Sequence, residues 1–257
     1  MRLKSALRRG VAAAVIAGIV VSSGISAYAI QWDIAKGDIT VKAGDTEGKN
    51  KVSQGETTKE DTDTVITGKS KEHTVTIDTS GGNVDVTFDD LKIDVSGKVK
   101  VDGSGDSPAQ ESKAAVTVKG GHDATIELDG KNELKSGGYN AGLEKNEHEA
   151  EGTLTIKDDK GKDGSLTAEG GFGGAGIGGG IESTGSNITI RGGTIEAVGG
   201  SNAAGIGDGA GRASDDTDDP NPGKLYICGD AEVTAKAGSQ MTDAKACLLY
   251  TSPSPRD

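Results

Sequence analysis

Apolar residues recur along this chain as tripeptides, apolar at both outer positions with a polar or small residue between. Leu154-Thr155-Ile156 returns as Ile188-Thr189-Ile190 and again as Leu225-Tyr226-Ile227. Ala141-Gly142-Leu143 returns as Ala175-Gly176-Ile177 and Ala204-Gly205-Ile206. Leu166-Thr167-Ala168 returns as Ile195-Glu196-Ala197 and Val233-Thr234-Ala235. Side chains alternate faces along a strand, so both outer positions of each tripeptide point one way and the middle position the other. Each block therefore carries three short strands, and the block starts lie 34 and 29 residues apart, within the range of solenoid repeats.

Stacking the blocks aligns Leu143/Ile177/Ile206, Ile156/Ile190/Ile227 and Ala168/Ala197/Ala235 as inward ladders. The middle positions, Gly142/Gly176/Gly205, Thr155/Thr189/Tyr226 and Thr167/Glu196/Thr234, are expected to face outward. The pattern predicts an all-β parallel β-helix with three short strands per coil. The alternative is an antiparallel sandwich, whose strands usually run to about five or six residues with hairpin turns between them. Upstream, Val116-Thr117-Val118, Ile126-Glu127-Leu128 and Leu134 fit one coil. Val75-Thr76-Ile77, Val84 through Phe88 and Ile93-Asp94-Val95 fit another, and Ile39-Thr40-Val41 with Val65-Ile66 begins the stack. The charged stretch between Val41 and Val65 reads as a long exposed loop, and Trp32 as a cover for the open end.

Composition narrows this picture. Of 42 glycines, 23 lie between Gly137 and Gly211 without a Gly-X-Y period, which excludes collagen. Only seven residues are aromatic, fewer than an ordinary globular core uses and compatible with a narrow aliphatic interior. Arg2, Lys4, Arg8 and Arg9 precede an apolar stretch from Val11 to Val21, then Ala27-Tyr28-Ala29. A basic start, a short apolar run and A-x-A read as a secretory signal at 1–29, cleaved after Ala29. Removing its four basic residues leaves 24 basic against 40 acidic residues, a net charge of −16, which argues against nucleic acid or an anionic membrane as partner. The tail from Cys247 to Asp257 resembles a translated sequencing adapter. The expected native domain is therefore 30–246, truncated at its C-terminus, with Cys228 its only cysteine and no disulfide framework.

Several stretches together carry a family resemblance: Trp32-Asp33-Ile34, the segment Val86 to Asp94, Ala141-Gly142-Leu143-Glu144, the glycine-rich run from Gly173 and the strand segment Ile188 to Ala197. From about Trp32 to Ser239 the chain resembles secreted carbohydrate-binding-domain proteins of Gram-positive gut anaerobes. The resemblance implies a right-handed parallel β-helix on a cell-surface protein, with some relatives binding acidic plant polysaccharide and calcium. It supplies no residue-level site.

The candidate chemistry is sparse. Gly174-Ala175-Gly176-Ile177-Gly178-Gly179 satisfies G-x-G-x-x-G, but a dinucleotide fingerprint needs a following helix, and Ser183-Thr184-Gly185-Ser186 and a strand follow instead. Gly178 also stands where a calcium-binding Gly-Gly-x-Gly-x-Asp repeat needs its Asp. From Ala175 to Ile190 the offset is 15 and from Ala204 to Ile227 it is 23, so the eight residues Asp215–Pro222 are an insertion at a bend. Its carboxylates Asp215, Asp216, Asp218 and Asp219 are the candidate ligands for Ca²⁺, a hard cation that takes six to eight oxygens; a solvated charged loop is the plainer account. Asp208 and Asn221 could add oxygens. His73, His122 and His148 share no ligand spacing. Asp89 and Asp90, being adjacent, fall on opposite faces of a strand.

A lyase needs a base with cations, and a glycosidase two carboxylates across the scissile bond; neither constellation is recognisable. The expectation is a secreted, monomeric, non-catalytic carbohydrate-binding or adhesion protein on a Gram-positive cell surface. Its partner would be a polysaccharide or a host or plant glycan, contacted by Thr155, Thr189 and Tyr226. No nucleotide is expected, and Ca²⁺ is the only candidate cofactor. A structural spacer and a polysaccharide-degrading enzyme are the alternatives.

Overall fold

The computed structural model describes residues 30–98, 112–146, 148, 150–161, 163–211 and 224–239. Within them the chain is all-β, and most strands fall into three parallel rows. The first row runs Ile39–Ala43, Val75–Asp78, Val116–Lys119, Leu143–Glu144, Ile177–Gly178 and Ile206–Gly207. The second starts in Val84–Asp94 and continues through Ala124–Asp129, Leu154–Lys157, Ile188–Ile190 and Leu225–Ile227. The third leaves the far end of Val84–Asp94 and runs through Lys131–Lys135, Ser165–Glu169, Thr194–Val198 and Glu232–Lys236. The chain visits the rows in that order and then returns to the first. Second and third rows form one curled sheet of eleven strands with Gln31–Asp33 and Thr64–Ser70, and the first row belongs to a sheet of eight.

The alternating pattern accounts for the core. Leu143, Ile177 and Ile206 pair in register, as do Ile156, Ile190 and Ile227, and Ala168, Ala197 and Ala235. All are buried except Ile227 and Ala235, which lie in the last described turn and are partly covered. Trp32 pairs with Ile66 and is buried, its indole N–H donating to Asp61 Oδ2 at 3.0 Å.

The long strand turns from the second row into the third at Asp90, whose φ is +50°. Asp90 Oδ1 accepts from the N–H of Lys131 at 2.9 Å. A Cβ on Gly130 would stand 2.6 Å from that oxygen, so the position takes glycine. Beside it Asn132 is almost fully buried. Its Oδ1 accepts from the N–H of Leu91 at 2.9 Å, and its Nδ2 donates to the carbonyls of Asp129 and Ser165 at 3.1 Å each. One amide thereby satisfies backbone groups in three successive layers, where an unpaired buried group would cost about 1–3 kcal/mol.

Two expectations are corrected. The stretch between Val41 and Val65 is not an exposed loop. Asn50–Gln54 pairs antiparallel with both Ile39–Ala43 and Thr57–Asp61, through the two-residue turn Gly55-Glu56 with Gly55 at φ +56°. A glycine first in such a turn suits the twist of a hairpin. The segment is anchored by Val52, fully buried, and by Asn50 Nδ2, which donates to Thr64 Oγ1 at 2.9 Å and to the Asp85 carbonyl at 2.6 Å. Its charged residues pair at the surface, as Lys49 does with Glu60 at 3.5 Å, a contact worth at most about 1 kcal/mol. One buried valine in a charged segment is too faint an alternation to read.

The glycines Gly142, Gly176 and Gly205 do not face outward either; all three are buried. A Cβ on Gly142 would stand 2.7 Å from the Gly176 carbonyl oxygen, and one on Gly176 would stand 2.6 Å from that of Gly205. The bend is tight enough that neighbouring backbone covers the middle position. The same constraint recurs at the bend from third to first row. There a Cβ on Gly171 would lie 1.9 Å from Gly137 O, one on Gly200 1.7 Å from Gly171 O, and one on Gly238 1.7 Å from Gly200 O.

Gly200→Ala is therefore expected to destabilise the chain by about 1–3 kcal/mol, the cost of overpacking a filled site. Gly121, with open space around its Cβ position and no positive φ, should respond in the opposite sense. Gly121→Ala is expected to stabilise by about 0.4–1 kcal/mol through the unfolded state. Urea melts of the two variants beside the parent check both signs.

Candidate functional site

The second row presents the candidate ligand column. Thr155 pairs with Thr189 and Thr189 with Tyr226, so the three stand one strand apart, at steps of about 4.8 Å. The register continues the column backwards through Thr125 to Asp85. Two threonines are half-buried and Tyr226 is exposed. The apolar pattern of Ile126-Glu127-Leu128 offers Glu127 as a middle position, so Thr125 is not legible as a member of the column from the sequence. Ile126 pairs with Ile156 and Glu127 with Lys157, so the matching tripeptide is Ala124-Thr125-Ile126. Its first position, filled by alanine, hid the repeat.

A second column runs beside the first, from Thr87 through Glu127 to Lys157, with Arg191 directly after the Ile190 that pairs with Ile156. Between these columns and Thr62–Thr64 lies an open trough of about 410 Å³, lined among others by Asp85, Thr125, Thr155, Glu127, Lys157 and Arg191. Thr189 and Tyr226 lie beyond its lining. Of the three candidate residues, Thr155 alone faces the trough, although all three share its column.

Glu127 organises the trough floor. It is almost fully buried, and its Oε1 accepts from the backbone N–H groups of Asp159 and Lys160 at 2.8 and 2.7 Å. Its Oε2 stands 3.3 Å from Lys157 Nζ, an ion pair rather than a well-directed hydrogen bond. Lys157 also donates to Asp159 Oδ2 at 2.9 Å. The hydrogen bond to Asp159, opposed by partial burial and helped by Glu127, holds the Lys157 ammonium above its ordinary pKa. Lys160 Nζ reaches Asp63 Oδ1 at 3.2 Å and ties the wall after Lys157 to the strand entry at Thr64. Arg191 is exposed at the rim. The arrangement offers hydroxyls, a fixed carboxylate and cationic groups on one face, suited to polar ligands that both donate and accept.

The surface of the third row is different in kind. On the third row Lys135 pairs with Glu169 at 2.8 Å, and Lys92 with Glu133 and Lys236 with Glu196 in close contact. Asp94 is held below the usual carboxylate range, chiefly by the hydroxyl of Ser96. These charges neutralise one another along the surface.

The calcium candidates Asp215, Asp216, Asp218 and Asp219 lie outside the described residues, as does Asn221. Asp208 Oδ1 accepts from the N–H of Gly185 at 3.2 Å, a bend-fixing contact. Among the described residues no group of three or more His, Cys, Asp or Glu side chains could hold a metal ion. Cys228 is exposed and free. The G-x-G-x-x-G run carries the short strand Ile177–Gly178, and a Cβ on Gly178 would stand 2.1 Å from Gly207 O, so its glycines serve backbone packing. Asp89 and Asp90 do not alternate as in a continuous strand, because the chain turns at Asp90.

Asp89 pairs in register with Asp129, and its pKa is raised by burial first, then by the charges of Asp129 and Asp90. A carboxyl that holds its proton more tightly when folded contributes stability at low pH, which is lost as pH rises through the raised pKa. At neutral pH the charged Asp89 is thus a burden. Asp89→Asn is expected to raise the melting temperature at pH 7, with the difference from the parent closing as pH falls below the carboxylate range. Thermal melts across pH read this directly.

Compared with protein-family models, with curated proteins and with solved structures, the chain matches none of them.

Proposed function

We propose that this chain is a secreted or cell-surface, non-catalytic carbohydrate-binding protein whose three rows wind as a right-handed parallel β-helix. The observation that carries the reading is the column of Thr125, Thr155, Thr189 and Tyr226 at strand spacing beside the trough. Hydroxyls donate and accept toward sugar hydroxyls, and an exposed tyrosine offers a ring face. Parallel strands repeat these groups at a fixed step, which suits a ligand that is itself a repeating chain. An acidic polysaccharide is the ligand class. Of the trough's cations, Lys157 and Lys160 are ion-paired and Arg191 stands at the rim to meet a ligand carboxylate, and calcium recruited by Asp215–Asp219 would bridge further carboxylates against the net charge of −16 left once residues 1–29 are removed. The acidic segment precedes Leu225–Ile227 in the chain, so an ion held there would serve the Tyr226 end of the column.

A structural spacer that displays another domain is the second reading. The third row favours it, since its ion-paired surface offers a regular wall with its charges already matched.

Isothermal titration of the full chain with polygalacturonate, in calcium and then in chelator, tests the proposal. Saturable binding that calcium strengthens is expected. Tyr226→Ala should weaken it about tenfold, the factor for a contact of 1.4 kcal/mol, and deletion of Asp215–Pro222 should abolish the calcium effect. Equal binding in both conditions removes calcium from the mechanism. No binding in either leaves the spacer, and release of shorter sugars means an enzyme.

A further inference from the structure

Thr64–Ser70 adds one strand ahead of the third row and brings further lysines to its surface. Its register along Val84–Asp94 shifts after Thr67 and resumes with Lys69 opposite Lys92 and Ser70 opposite Ile93. The shift is built in at Gly68, whose φ is +92° and whose Cβ would stand 2.1 Å from Asp33 Oδ1. On the other side Lys92 stands opposite Glu133, and Asp94 opposite Lys135. The chain then turns at Ser70, whose Oγ accepts from the N–H groups of Glu72 and His73 at 3.1 and 2.8 Å. That turn carries the exposed Lys71, and the Ser70 hydroxyl keeps its own proton to donate. Here lies a cleft of about 240 Å³, with Lys69, Lys71, Lys92 and Lys135 set against Asp94 and Glu133.

Three features set this cleft apart from the matched ion pairs farther along the row. Lys69 and Lys92 are direct cross-strand neighbours, and like charges in that position repel. Lys92 is in close contact with Glu133, and Lys135 with Glu169 at 2.8 Å, but Lys69 and Lys71 have no carboxylate within ion-pair distance among the described residues. Asp94 is turned to Ser96, its Oδ1 accepting from the backbone N–H and the hydroxyl at 3.2 and 2.5 Å. Four ammonium groups thus face two carboxylates in the cleft, a positive surplus that Glu169, outside it, reduces but does not remove. The chain as a whole carries a net charge of −12. A ligand that satisfies Lys69, Lys71 and Lys92 together needs several acceptors and more than one negative charge. An esterified phosphate offers three strong acceptor oxygens and a charge of about −1.5 to −2 at pH 7, whereas a carboxylate offers two oxygens and one charge. Lysine binds phosphate as a point charge, without the fork geometry of arginine.

From this we infer that the cleft is an anion site for a phosphate group, free or as the end of a phosphate monoester, held by Lys69, Lys71 and Lys92. Ser70 is placed to donate to the same group. The bound anion replaces the repulsion between Lys69 and Lys92 by two attractions. The cleft shares no lining residue with the trough at Thr155, so this inference and the proposed function fail separately.

Thermal melts of the full chain at low ionic strength, in inorganic phosphate or glycerol 1-phosphate, test the site against sodium chloride at matched ionic strength. Phosphate should raise the Tm of the parent with concentration, as a ligand of the folded state does, and chloride should not match it. The double variant Lys69→Gln/Lys71→Gln changes two exposed side chains. Without phosphate it should melt no lower than the parent, since the repulsion at Lys92 is relieved. It should lose the phosphate shift, and isothermal titration should show inorganic phosphate bound about tenfold more weakly. Lys119→Gln, at an exposed lysine outside the cleft, should keep the shift. Equal shifts in both phosphates place the contacts on the phosphate group of an ester, and a shift in inorganic phosphate alone assigns the free ion. A parent shifted no further than by chloride, a double variant that retains the shift, or a loss shared by Lys119→Gln would overturn the inference.

Discussion

Among the described residues successive turns rest on the backbone of their neighbours, and the tightest of those contacts admit no side chain. At Gly171, Gly200 and Gly238, carbonyl oxygens of one turn occupy the space that a Cβ of the next would need. The contact lets the chain reverse within a few residues and return one strand spacing away. First-row strands can then shrink to two residues, as in Ile177–Gly178 and Ile206–Gly207, without losing register. An interior only as wide as these short turns is filled by Ile, Leu, Val and Ala, which is the physical reason for so few aromatics.

The two ends of the stack meet different demands. At the first turns the sheet edge is occupied by Thr57–Asp61, a strand exposed at every residue but its last. Charge on an edge strand discourages further pairing, while Trp32 and Val52 fill the core beneath. Between those turns and the regular repeats, Asn132 and Asp90 fix the corner where one strand serves two rows. That corner separates two unlike faces: a polar trough floored by Glu127, and a wall of matched ion pairs.

The candidate site is a product of repetition. Because each turn adds one strand spacing, any outward residue kept in register becomes a column, and the columns align groups from Asp85 to Tyr226, 141 residues apart. The trough needs one non-repeating addition, the Lys160–Asp63 contact across its wall. A linear polymer can engage such a surface at many weak points, each modest alone.

The sequence by itself determined the strands of the repeats from Ala141 to Ala235 and their three inward ladders, because alternation is a local property and burial of an aliphatic ladder leaves it in plain view. It also placed Thr155, Thr189 and Tyr226 in one column, since register follows from the ladders beside it. Tertiary structure decided what local pattern does not encode. Gly142, Gly176 and Gly205 are covered because backbone from other turns packs over them. Asn50 and Val52 hold a hairpin because Thr64 and Asp85 lie across from them. Glu127, Lys157 and Arg191 share a wall because Ala124, not Ile126, begins the matching strand. Each depends on which distant segment crosses overhead, and an interaction between segments is written in neither one alone.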